Sequence, residues 1–183
     1  MVARAPALQI VALLVACASP VWGQQAPSGD GASAELIRAL RAIVDADPLR
    51  LARVCDRVGD GALLAALSPG TPTDARLQAV RATPWLREPH AALPPLLTLM
   101  GGRDPVLAPA AARSVLRIAR RLDARGLRAM EVDPDALSPV AADLRALSER
   151  AHVRPDLRLM AVEAEAELVG VGAAPEPGGD GDG

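Results

Sequence analysis

The chain of 183 residues contains no lysine, asparagine, phenylalanine or tyrosine, and all 20 of its basic residues are arginine. These four amino acids share AT-rich codons, so their joint absence points to a genome of very high GC content. Without phenylalanine and tyrosine, Ala, Leu and Val must build the core, which favours slim helices packed with close axes. The same lack removes the rings on which single-stranded nucleic acid stacks. The net charge is −2, so there is no overall basic field either, and nucleic acid is excluded as a partner. Cysteine is limited to Cys17 and Cys55. Histidine is limited to His90 and His152, each isolated in the sequence. No Cys-x-x-Cys pair, nucleophile elbow or phosphate loop is present. Asp180 and Asp182 are too sparse for a calcium loop. No catalytic, cofactor-binding or metal-binding residue is therefore assigned, no cofactor is expected, and the chain is read as a non-enzyme.

What is present begins with an export signal, residues 1–23. Arg4 supplies positive charge, Ala7 to Ala18 form an apolar run interrupted by Gln9, and Pro20 precedes Val21-Trp22-Gly23. That order matches the three parts of a cleavable signal peptide. The run is shorter than the roughly 20 residues a membrane span needs. Ordinary cleavage before Gln24 is favoured. The alternative is lipidation at Cys17, because Leu14-Val15-Ala16-Cys17 resembles a bacterial lipobox. Either route places the protein in the periplasm or outer envelope, with membrane contact only through a Cys17 lipid anchor. Cys55 then stands alone and fits a small buried hydrophobe, an intermolecular disulfide being the minority reading.

Residues 24–32 are small and polar and read as a linker. Helical patterning spans residues 33–169. Leu36, Leu40 and Ile43 share one face, and Asp47-Pro48 restarts the helix with a capping residue followed by proline. Gly59-Asp60-Gly61 precedes a short apolar helix ending near Leu67. Thr71-Pro72-Thr73-Asp74 has the pattern of a capping box with Asp in place of Glu. Ala75, Ala79 and Ala82 give the next helix a slim face, and Pro84 and Pro89 bracket Trp85. An apolar helix from Ala91 to Met100 stops at Gly101-Gly102. Leu107, Ala111, Ser114, Ile118 and Leu122 then form the clearest amphipathic stripe. Ser138-Pro139 opens another helix, and Pro155 opens the last, with Leu159, Val162, Ala166 and Val169 expected inward. Residues 170–183 are Gly, Pro and acid and should be disordered.

A helix-opening phrase recurs three times: Asp74-Ala75-Arg76-Leu77-Gln78-Ala79-Val80, Asp104-Pro105-Val106-Leu107-Ala108-Pro109-Ala110-Ala111, and Pro155-Asp156-Leu157-Arg158-Leu159-Met160-Ala161-Val162. It resembles the second helix of HEAT-like (armadillo-type) repeats. The resemblance is good from Asp74 to Leu122, fair from Ser138 to Val169 and poor before Leu67. It departs from the family at Leu107, where Arg76 and Arg158 supply a basic residue in the other copies. The spacing is also irregular, since Ala79 and Ala110 are 31 residues apart and Ala110 and Ala161 are 51 apart. The excess reads as a short helix and loop inserted between Asp123 and Pro139. The resemblance implies an all-α fold, a short right-handed solenoid of stacked antiparallel helical hairpins, which binds a protein on the surface of its second helices. The alternative architecture is an irregular multi-helix bundle.

Charge is unevenly distributed. Residues 103–130 hold 7 arginines against 2 acids, whereas residues 131–183 hold 4 against 12. Arg113, Arg117, Arg120 and Arg121 lie opposite the Leu107–Leu122 stripe. One reading pairs them with Glu163 and Glu167 of a neighbouring helix. The other makes them, with Trp85 as rim anchor, the binding surface for an acidic protein partner or anionic headgroups, since guanidinium forks suit carboxylate and phosphate. Trp85 also fits the role of core filler. The functional expectation is a non-catalytic scaffold or adaptor of the cell envelope. The alternatives are a lipid-anchored structural lipoprotein and, on the Ser, His and acid inventory alone, an enzyme of unassigned class. Mass spectrometry of the exported chain should find Gln24 at the mature N-terminus; a triacylated Cys17 in its place would make this a lipoprotein.

Overall fold

Asp followed by Pro occurs three times, at Asp47-Pro48, Asp104-Pro105 and Asp133-Pro134. Each time the carboxylate caps a helical turn. Asp47 Oδ1 accepts from the Leu49 N–H at 3.0 Å, Asp133 Oδ1 from Asp135 at 2.9 Å, and Asp104 Oδ1 from Val106 and Leu107 at 2.8 and 2.9 Å. The bonds satisfy amide groups that a helix start leaves without partners, while proline, which has no N–H, forfeits nothing there. At Asp104 the two N–H donors hold the carboxyl below its ordinary range. That cap therefore contributes fully above the ordinary carboxylate pKa and is lost as pH falls through the lowered folded value.

The structure, a computed structural model, describes residues 34–42, 47–122, 127, 130 and 132–172. All regular elements among them are helical. The α-helices are α1 (Ala34–Arg41), α2 (Pro48–Val58), α3 (Asp60–Ala65), α4 (Thr73–Ala82), α5 (Leu93–Met100), α6 (Leu107–Arg121), α7 (Ser138–Glu149) and α8 (Pro155–Gly172). Short 3₁₀ turns at Thr83–Trp85, Pro89–Ala92 and Pro134–Leu137 join them. Gly59, at φ +83°, lets α2 pass directly into α3, a conformation costly for a residue with a Cβ. The signal segment with Cys17, the linker, Ile43, residues 123–126, 128, 129 and 131 of the inserted segment, and the tail beyond Gly172 lie outside the described residues.

Alanine decides how these helices pack. The expected slim face of α4, Ala75, Ala79 and Ala82, is fully buried. α4 packs on α1 and α2 and also on α6. α6 in turn packs on α5 and α8, while α5 touches α7 and α7 pairs with α8. Two hairpins, α5–α6 and α7–α8, thus lie against one another. Ala79, Ala110 and Ala161, the matching positions of the repeated phrase, are all buried, one on each of α4, α6 and α8. The α6 stripe of Leu107, Ala111, Ser114, Ile118 and Leu122 is buried as its spacing predicts. Close packing extends to Gly101, where an added Cβ would meet the α7 residue Leu147 at 3.0 Å. Cys55 is buried, its Sγ 3.5 Å from the Ala82 carbonyl oxygen to which it donates. Burial, then Asp60 and Asp56, push its thiol up to about 12, so it packs as an inert small group.

Two local expectations fail. No capping box forms at α4: Pro72 occupies the cap position and offers no side-chain acceptor. Thr71 is instead buried, 3.5 Å from the Ser68 hydroxyl. The Asp74 carboxylate, expected at the cap, is held by both nitrogens of an Arg41 fork at 2.6 and 3.1 Å. The second failure is the inward face of α8. Leu159, Val162, Ala166 and Val169 are exposed, and the buried residues are Leu157, Ala161, Ala164 and Leu168. Both sets have helical spacing, so periodicity cannot choose between them. Ala161 and Ala164 let α8 approach α6 closely, and Glu163 and Glu167 then meet α6 while Glu165 meets Arg145 of α7. The helix also continues to Gly172, past the expected Val169.

This register gives a direct contrast. Leu168→Ala should cost about 2–5 kcal/mol in urea unfolding, whereas Leu159→Ala should stay within about 0.5 kcal/mol. The reverse order would mean that α8 is rolled the other way.

Candidate partner-binding surface

Because α6 buries nine of its 15 residues, its charged side chains are confined to what remains of the circumference. Arg113, Arg117, Arg120 and Arg121 are all exposed there. The structure divides them into three roles.

Arg120 bridges to α8. Its Nη2 donates to Glu163, and its Nε lies 3.6 Å from Glu167. This is the pairing that the charge pattern offers as the structural reading, and it commits Arg120 to holding α8 on α6.

Arg117 and Arg121 converge on Trp85, with guanidinium carbons 5.3 and 5.0 Å from the ring centroid. Arg121 Nη1 also donates to the Pro84 carbonyl. The turn holding Trp85 follows α4 directly, and its indole Nε1–H donates to the Pro48 carbonyl at 2.6 Å. Each cation–π contact at an exposed site is worth about 0.5–1 kcal/mol, and the indole bond adds roughly another 1 kcal/mol. Trp85 is half-buried: one part packs on the core while the ring carries the two arginines. It therefore serves in part as a core filler. Beside it lies a cavity of 370 Å³ lined by Pro48, Leu49, Ala52, Trp85 and Arg121. Leu49 stands 69 % exposed at its edge. Leu49 and Ala52 were not expected to contribute. Their signal is that both fall off the Leu51–Cys55 stripe, so Leu49 is an apolar side chain with no place in the α2 core face.

Arg113 faces the other way. With Arg81 of α4, Arg117, Ala110 and Ser114 it lines a small cleft of 100 Å³ between α4 and α6. Arg81 is a further residue that the sequence pattern leaves unmarked, because it sits in the last turn of α4, where a basic side chain already suits the helix dipole.

A larger groove of 500 Å³ separates α3 from α5, lined by Leu64, Leu67, Pro95 and Leu99 among others. Arg76, the basic residue of the repeated phrase, lies at this groove and donates from Nε to the Leu67 carbonyl at 2.9 Å. His90 lies in the Pro89–Ala92 turn, and His152 is exposed after α7. Among the described residues no group of three His, Cys, Asp or Glu is placed to hold a metal ion. No helix among them is long and apolar enough to cross a membrane. No protein-family model matches the chain, nor does any curated protein or solved structure.

The division of roles among the arginines is measurable. A double-mutant cycle of Arg120→Gln with Glu163→Gln should give a coupling of about 0.2–1 kcal/mol in stability. Zero coupling would release Arg120 from its structural role.

Proposed function

We propose that this chain is a non-catalytic scaffold of the bacterial envelope, exported by its N-terminal segment, that binds an acidic stretch of a protein partner. The observation that carries the reading is the pair of guanidiniums lying over Trp85, 5.3 and 5.0 Å from its ring centroid, beside the α2 groove. A groove with an exposed Leu49 accepts an apolar side chain, and Arg117 and Arg121 beside it suit a neighbouring carboxylate. Aromatic and arginine side chains are the residue types that most often dominate protein interfaces. Trp85 and both arginines are tied to the fold by backbone or ring contacts, so little side-chain freedom is lost when a partner docks.

The same reading takes the architecture as a short HEAT-like solenoid. What supports it is the succession of α4, α6 and α8, each packed on the next, with α5 and α7 forming a second row behind them. The repeated phrase falls on those three helices. In such a stack the row of second helices is the binding face, and Arg117 and Arg121 lie on its middle member.

In-cell crosslinking of the tagged protein, followed by mass spectrometry, tests the proposal. The variant of choice combines Arg117→Glu with Leu49→Asp and leaves the Arg120 bridge intact. One dominant partner should be captured by the wild type and its yield should fall at least about tenfold in the variant, a loss on the scale of an interface hot spot, with helicity unchanged. Capture that survives the double change would refute the assigned surface, and recovery of self or lipid contacts alone would refute the scaffold role.

A further inference from the structure

The cleft between α4 and α6 is chemically distinct from the Trp85 groove. Arg81, Arg113 and Arg117 line it, and no carboxylate does. Five other arginines are paired with acids: Arg41 with Asp74, Arg50 with Asp47, Arg120 with Glu163 and Glu167, Arg145 with Glu165, and Arg154 with Asp156. Arg81 and Arg113 have no ion pair among the described residues. Arg113 and Arg117 also stand four apart on one helix, where like charges repel, and Arg81 adds a third charge from the facing helix. Three positive charges around one small space without a counter-charge suit an anion.

The cleft is also built. Ser114 Oγ donates to the Val80 carbonyl at 2.8 Å in the buried contact between α6 and α4. Val80 precedes Arg81 and Ser114 follows Arg113, so this bond fixes the two arginines in register across the helix pair. Thr83 Oγ1 donates to the same carbonyl at 2.8 Å, holding the last turn of α4. Ala110 and the engaged Ser114 are short, which leaves space for an anion between the guanidiniums.

We propose that Arg81, Arg113 and Arg117 form a phosphate-binding site. At 100 Å³ the cleft admits a single tetrahedral oxyanion, well below the roughly 300–1,000 Å³ of pockets that enclose a whole small molecule. A carboxylate has two oxygens in one plane and is satisfied by one guanidinium fork. A tetrahedral dianion offers oxygens to three forks arriving from different directions and balances more of their charge. The site recognises the phosphate group itself, carried by the free anion or by a monoester whose remainder lies outside the cleft. This goes beyond the scaffold reading and does not depend on a partner.

The test uses the purified mature protein at pH 8, in the absence of any partner, with ionic strength held constant by sodium chloride. Thermal unfolding and calorimetric titration are followed with inorganic phosphate and with glycerol 3-phosphate at low millimolar levels. Phosphate should raise Tm saturably where chloride does not. Arg81→Gln and Arg113→Gln should each weaken binding about tenfold, the loss of one charge-assisted contact, while Arg53→Gln on α2 should leave it unchanged. Binding of glycerol 3-phosphate as tight as inorganic phosphate assigns the site to monoesters; binding of inorganic phosphate alone assigns it to the free anion. A Tm rise no greater than with chloride would overturn the proposal. So would a rise that is undiminished, at every phosphate concentration, in a folded Arg81→Gln protein, since that is a general salt effect on the folded state.

Discussion

α6 must be buried by α4, α5 and α8, with no side chain on it larger than leucine, isoleucine or arginine. Ala108, Ala110, Ala111, Ala112, Ser114 and Ala119 make this feasible, because each lets a neighbouring helix approach without a gap. Slim faces carry little apolar area per residue, so stability has to come from closeness of packing over many contacts. The matching alanines on α4 and α8 serve the same end from the other side. A polar atom in such a contact is costly unless bonded, and the Ser114 hydroxyl meets that demand on the Val80 carbonyl. The helix that organises the fold is therefore also the one whose rotation is most tightly specified.

From that rotation the surface follows. With most of α6 inside, its four arginines share the remaining strip and must find separate outlets. One bridges to α8, two reach back over the turn after α4 to Trp85, and one faces the cleft beside Arg81. The acids of the C-terminal third meet only part of this charge. Glu163 and Glu167 serve Arg120, while Glu165, half as distant in sequence from its partner, is taken by Arg145 of α7. Local pairing within the α7–α8 hairpin thus leaves the α4 side of α6 electropositive.

Where one signal dominated, the sequence was legible. The Asp47-Pro48 and Asp104-Pro105 starts work as local hydrogen-bond chemistry that needs no tertiary context. The buried stripe of α6 was legible because its other face is charged, so only one roll is tolerable. α8 lacked that asymmetry: two apolar stripes on nearly opposite faces, separated by glutamates, leave the choice to its neighbours. The alanines that win, Ala161 and Ala164, carry less hydrophobic signal than Leu159 and Val162, which lose. Small residues are chosen for fit, and hydrophobic periodicity is blind to fit. Thr71-Pro72-Thr73-Asp74 failed for a related reason, since Arg41, 33 residues upstream of Asp74, outcompetes a local cap that the proline had already weakened. The candidate surface was half legible. Arg117, Arg121 and Trp85 were marked by their types, whereas Leu49 and Arg81 matter only because α2 and α4 bring them alongside.

Arg117 belongs to both the Trp85 cluster and the arginine cleft, which raises the question of whether one side chain can serve two neighbours. The geometry of guanidinium permits it. Stacking on an aromatic ring uses the flat face of the group, where attraction comes from the ring quadrupole. Hydrogen bonding uses the edge, where the N–H donors lie in the plane of the fork. A guanidinium held over Trp85, as that of Arg117 is at 5.3 Å from the ring centroid, loses less freedom on meeting a second group than one on an untethered stem. A lysine at position 117 could still meet the ring or donate a hydrogen bond, but as a compact point charge it lacks the planar fork that separates a stacking face from a donating edge. The exclusive use of arginine in this chain thereby places at position 117 a side chain whose planar fork suits both the Trp85 contact and the space beside Arg81 and Arg113.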